Sequence, residues 1–113
     1  VATDFYIKDS DTLPAIQAIL TDATDTVVNL SGCTVRFIMT NKSTAVVAVD
    51  AAATVVNAAG GVVRYNWVTG DTDIAGGYRA EWEVTFGGGG VETFPNSTYM
   101  NIKITGDLGG TVS

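Results

Sequence analysis

From Tyr78 to Phe86 the chain alternates without a slip. Tyr78, Ala80, Trp82, Val84 and Phe86 fall on one side, and Arg79, Glu81, Glu83 and Thr85 fall on the other. A period of two sends successive side chains to opposite faces of a strand, so this stretch predicts an antiparallel strand with one face in a core and one in water. The same rule groups Val63, Tyr65 and Trp67 in "VVRYNWV", and Val35, Phe37 and Met39 in "CTVRFIM". It also groups Ile16, Ala18 and Leu20 in "PAIQAILT", and Met100, Ile102 and Ile104 in "TYMNIKI". "DFYIK" near the start predicts a short edge strand. "GGGG" (87–90) before "VETFP" predicts a hairpin with a loose tip. Pro95, which has no N–H for a ladder, predicts a bulge there or a strand that changes sheets.

Turn residues gather at "KDSDT", "TDATD", "LSG", "AAGG" and "TGDTDIAGG", and helical periodicity is nearly absent. "TDIAG" alone is expected to form a single helical turn. About seven to eight short strands at this spacing predict an all-β fold of two packed sheets, in one domain spanning residues 1–113. "GDTDIAGGYRAEWEVTF" (70–86) resembles the sixth strand of an immunoglobulin domain, which makes the expected fold an Ig-like antiparallel β-sandwich. At the corner leading into that strand the Tyr78 hydroxyl is expected to bond backbone a few residues upstream. Two residues later, where an antibody domain has a disulfide cysteine, stands Ala80. The expected core aromatics, Phe37, Trp67, Tyr78, Trp82 and Phe86, supply enough apolar area to make a disulfide dispensable.

"STAVVAVDAAATVVNAAGG" (43–61) is different in kind, rich in Ala and Val and uncharged apart from Asp50. It reads as two short strands around an Asp50–Ala51–Ala52 turn, or as a flat contact surface covered by another subunit. The candidate assembly residues are Val46, Val47, Val49, Val55 and Val56, joined by Leu108 in the last stretch. Residues 106–113, rich in glycine, read as a flexible arm or a frayed end.

Charge and chemistry narrow the function. Twelve acidic residues against six basic ones give a net charge of −6, which argues against nucleic-acid or anionic-membrane partners. The lone Cys33 reads as a small buried apolar residue and suits a reducing cytoplasm. "VATDFYIKD" has no basic stretch followed by an apolar run, so no signal peptide is expected. There is no histidine, which removes imidazole bases and histidine-ligated zinc. Asp9/Asp11, Asp22/Asp25 and Asp71/Asp73 lie in expected turns, where Asp bonds its own backbone; calcium is the lesser alternative. Glu81 and Glu83 imitate a glycosidase pair but read as solvated charge on a strand face. "GGGG" lacks the Lys-Ser/Thr and helix of a phosphate loop. The expectation is a protein without catalytic residues, metal or cofactor.

Two long stretches carry a family resemblance. "DFYIKDSDTLPAIQAILTDATDTVVNLSGCTVRFIMTN" (4–41) resembles the N-terminal domain of the baseplate upper proteins of tailed bacteriophages. "GGVVRYNWVTGDTDIAGGYRAEWEVTF" followed by "VETFPN" is similar to that family's later pattern, a "V-x-Y-x-W" strand, "G-x-Y-x-A-E" and a "TFP" close. The chain departs from the pattern in three places. Ser10 stands where such sequences usually carry Gly, Thr24-Asp25 where an Asp-Gly turn is expected, and Val27 where Pro is common. The resemblance implies a virion structural protein, assembled in the host cytoplasm, that attaches to other virion proteins in the tail, baseplate or fibre and forms homo-oligomers. A capsid decoration protein is the nearest alternative. A carbohydrate- or host-surface-binding module, using exposed aromatics such as Tyr6 or Tyr99, is the alternative of another class.

Overall fold

The computed structural model describes residues 4–95 and 99–106. Among these, nine strands and no helix form two sheets. The larger contains β1 (Asp4–Lys8), β3 (Thr34–Asn41), β4 (Val47–Ala52), β7 (Gly76–Thr85), β8 (Val91–Phe94) and β9 (Met100–Thr105); the smaller contains β2 (Ile16–Ile19), β5 (Thr54–Asn57) and β6 (Val62–Tyr65). The larger sheet runs β1-β9-β7-β3-β4, with β8 also on β7, and the smaller runs β2-β6-β5. The result is an all-β, sandwich-like fold.

The alternation read from the sequence assigns the inner faces. Val35, Phe37 and Met39 of β3, Tyr78, Ala80, Trp82 and Val84 of β7, and Met100, Ile102 and Ile104 of β9 are all buried. Ile16 and Leu20 at β2, and Val63, Tyr65 and Trp67 along and just past β6, meet them from the smaller sheet. Phe86 lies one residue beyond β7 and is half-buried at the edge of this core, and Cys33 is a free, half-buried thiol packed against it. The Tyr78 hydroxyl donates to the Ile74 carbonyl at 2.7 Å, closing the corner expected of it. Gly61, at the turn between β5 and β6, has φ +66, and a Cβ there would stand 2.8 Å from the Val28 carbonyl oxygen.

Four expectations need correction. Among the described residues there are nine strands rather than seven or eight, and the larger sheet is mixed rather than antiparallel, because β1 runs parallel to β9. Alternation assigns a strand's face and is silent on its direction. Asp50, Ala51 and Ala52 are not a turn but the end of β4. There Asp50 accepts from Arg36 Nε at 2.8 Å, and the chain crosses between sheets at Ala53. Of the two readings at Pro95, the change of sheets is excluded, since β8 and β9 both pair with β7, and the bulge-like break remains. Between the pairs Trp82–Phe94 and Ala80–Met100, β7 has one residue and its partner has residues 95–99, so the interruption is an insertion in one line of pairing. "TDIAG" contains no helical turn.

Ser10, Asp25 and Ala45 carry left-handed backbone, with φ of 64°, 64° and 60°. A Cβ is disfavoured in that region, least for Asp and Asn. Ser10→Gly is therefore expected to raise stability by about 0.5–1 kcal/mol in urea denaturation. In the same assay Tyr78→Phe should cost about 1 kcal/mol, the net worth of one hydrogen bond. Trp82→Ala, which empties a fully buried site, should cost about 3–5 kcal/mol.

Candidate functional site

Two loops lock together at one end of the molecule, where β1 ends and β7 begins. Tyr65, buried among core rings, reaches out so that its hydroxyl donates to Asp71 Oδ2 at 2.6 Å, and the Val68 N–H donates to the same oxygen at 2.8 Å. The buried Thr72 then ties this loop to the one after β1: its hydroxyl donates to the Asp11 carbonyl at 2.7 Å, and its own carbonyl accepts from the Ser10 N–H at 3.0 Å. Ser10 Oγ donates to Asp73 Oδ1 at 3.3 Å, and Trp67 Nε1 donates to the Pro14 carbonyl at 3.0 Å. The Asp9/Asp11 and Asp71/Asp73 pairs, far apart in sequence, thus share one end. Asp11 and Asp73 are exposed there beside Leu13 and Ile74, whose side chains are 75% and 67% exposed.

Of the carboxylates at this end, Asp71 and Asp73 accept hydrogen bonds within the loops. Burial, then the hydrogen bond and negative charge of Asp71, push the Tyr65 hydroxyl well above the ordinary tyrosine range. Asp22 serves its own turn, accepting from Thr24 Oγ1 at 2.7 Å, Thr24 N at 2.9 Å and Thr26 N at 3.0 Å. The Thr24 hydroxyl, followed by the backbone bonds of Thr26 and Thr24, holds the Asp22 carboxyl below its usual range. Asp9 is buried, and its Oδ2 has no hydrogen-bond partner among the described residues. Among the described residues no group of three or more Cys, Asp or Glu is placed to hold a metal ion. Glu81 and Glu83 stand on the outer face of β7, opposite Ile38 and Arg36 of β3.

The outer face of the larger sheet carries a second feature that sequence reading missed. Tyr6 on β1, Lys103 on β9 and Gly77 on β7 line up across three strands, and Lys42 follows through its N–H bond to the Gly77 carbonyl. Glycine leaves the middle of this row without a side chain. The result is an open groove of about 510 Å³ lined by Asp4, Tyr6, Lys42, Gly77, Asn101 and Lys103. Lys42 Nζ donates to Asn101 Oδ1 at 2.6 Å, and both Lys42 and Arg79 lie over the Tyr99 ring, 5.5 and 5.7 Å from its centroid. Tyr6 and Tyr99 thus share this face, Tyr6 largely exposed and Tyr99 half-buried. Only cross-strand register assembles the groove, so no local motif marks it.

The candidate assembly residues separate. Val46, Val47 and Val56 are exposed and Val55 is half-buried, whereas Val49 points into the core opposite Met39 and is removed from any contact surface. Leu108, with residues 107–113 of the expected arm, lies outside the described residues. Compared with protein-family models and with curated proteins, the chain matches none.

The Tyr65–Asp71 bond sets a pH signature. A hydroxyl whose folded pKa is raised contributes stability that is complete below the ordinary tyrosine value, about 10, and is lost as pH rises past it. Tyr65→Phe should cost about 1–2 kcal/mol at pH 7. In urea denaturation repeated from neutral to alkaline pH, the advantage of the wild type over this variant should shrink above about pH 10. A constant difference would contradict the assignment.

Proposed function

We propose that the protein is a non-enzymatic structural module of a tailed-phage virion, attaching to other virion proteins in the tail, baseplate or fibre. The observation that carries this reading is a match between backbone and sequence pattern. The resemblance to the baseplate upper protein N-terminal domain expects glycine at positions 10 and 25. Ser10 and Asp25 are two of the three non-glycine residues described with left-handed backbone. Non-glycine residues adopt that conformation in only a few per cent of cases, so the coincidence supports the family's turns at both places.

The surface suits an attaching role. β4 is the last strand of the larger sheet and β5 the last strand of the smaller, so the Ala/Val stretch forms one lateral edge of the sandwich. Val46 and Val47 are 62% and 54% exposed at that edge, with no lysine or proline among residues 44–61 to discourage pairing with a neighbour. A neighbouring virion subunit covering this edge would remove its unpaired backbone groups and its apolar side chains from water together.

Immunogold labelling of intact virions with antibody against this protein tests the reading. Gold at the tail tip or along the fibres is the expected result. Gold spread over the head would instead make the protein a capsid decoration protein. Virions that contain no copy of the chain would overturn the virion assignment.

A further inference from the structure

The charges of this acidic protein are unevenly placed. Five of its six cations, Lys8, Arg36, Lys42, Arg79 and Lys103, project from the outer face of the larger sheet, where they are mixed with Asp4, Asp50, Glu81 and Glu83, while Arg64 sits on the smaller one. Arg36 is paired with Asp50. Lys42, Arg79 and Lys103 have no carboxylate partner among the described residues; Lys42 and Lys103 line the groove floored by Gly77, together with Asp4 at its other end, and Arg79 stands beside it opposite Asn101. Neighbouring strands are about 4.8 Å apart and alternate residues about 6.8 Å apart, so these three cations form a triangle about 7–10 Å on a side. The groove also has an apolar wall, since Tyr6 is 66% exposed.

The locked loop end presents the complementary set. Asp11 and Asp73 supply exposed carboxylates, and Leu13 and Ile74, with Tyr6, are the most exposed large apolar side chains described. Hydrogen bonds through Thr72, Ser10 and Asp71 hold this end in one shape before any partner arrives, which lowers the ordering cost of a contact. The two surfaces also adjoin. Tyr6 lines the groove and a smaller cleft of about 220 Å³ shared with Asp11 and Leu13.

We infer that two copies of the chain pair about a two-fold axis, the acidic loop end of each seated against the lysines of the groove of the other. Adjacent patches of opposite character are what an isologous contact requires, because one rotation brings both into register at once. Asp11 and Asp73 meet the triangle of Lys42, Arg79 and Lys103, and Leu13 and Ile74 pack on Tyr6. The net charge of −6 on each copy opposes approach at long range, but screening beyond about 8 Å at physiological salt leaves the local complementarity to decide. The pairing deepens the assembly reading and rests on it for its purpose. Dimerisation of the pure protein and labelling of virions are separate readouts, so either can fail without the other.

Charge reversal with complementation tests the pairing in sedimentation equilibrium of the full chain, at concentrations up to about 1 mM, enough to detect millimolar affinity. The wild type should move from 11.7 kDa toward twice that mass. A groove variant (Lys42→Glu with Lys103→Glu) and a loop variant (Asp11→Lys with Asp73→Lys) should each remain monomeric. An equimolar mixture of the two should recover the dimer, since each then offers the other a complementary surface. Thermal melts monitor folding, and if the groove variant unfolds, Tyr6→Asp on the exposed edge strand replaces it and should also abolish the dimer. A wild type that stays monomeric, a folded variant that dimerises as the wild type does, or a mixture of folded charge variants that stays monomeric would overturn the inference.

Discussion

The structure depends on one ring, that of Phe37. It is fully buried on β3 and touches both sheets. It stacks on Tyr65 from the smaller sheet, with centroids 4.8 Å apart and planes at 15°. It meets Trp67 edge-on at 5.7 Å, and Trp82, its cross-strand partner, at 4.8 Å. Tyr65 and Trp67 are themselves perpendicular at 5.5 Å, which completes a four-ring cluster spanning the space between the sheets. Aromatic pairs in these geometries add to area burial by about 0.5–1.5 kcal/mol each. Ala80, two residues after Tyr78, is a small residue in this packed layer.

The same rings organise the surface. Tyr and Trp carry polar tips on apolar bodies, and here the bodies fill the core while the tips reach the loop end. Tyr65 grips Asp71, Trp67 grips Pro14, and Tyr78 grips Ile74. The loop end is therefore an extension of the core, which is why Asp11, Leu13, Asp73 and Ile74 stand out from a fixed base. The outer face of the larger sheet gains its groove by a different route, from the absence of a side chain at Gly77 between Lys103 and Lys42.

What could be read from the sequence follows from what alternation encodes. Period two reports which face each side chain takes, so the inner residues of β3, β7 and β9 were legible, as was the corner at Tyr78. Direction and neighbour are not encoded that way. The parallel pairing of β1 with β9 joins segments from opposite ends of the chain, and no local signal announces it. Within the Ala/Val stretch a register shift between the pairs Met39–Val49 and Thr40–Val47 puts Val49 inward and Val47 outward despite their spacing of two, and in so uniform a run nothing marks that shift or the crossing at Ala53. The groove was hidden for the same reason, being made of register across β1, β9 and β7. The left-handed positions at Ser10 and Asp25 were not read from the sequence, because neither residue requires such a backbone by itself.

The central claim is that the inter-sheet ring cluster, centred on Phe37, holds the two layers as a unit. A double-mutant cycle of Phe37→Leu and Tyr65→Leu in urea denaturation measures it most directly. The Tyr65–Asp71 hydrogen bond is lost in both arms that lack Tyr65 and therefore cancels. A coupling of about 0.5–1.5 kcal/mol is expected, the excess of a stacked pair over its area. Single costs that add to within about 0.3 kcal/mol would mean the two rings are independent filler, and the claim would fall.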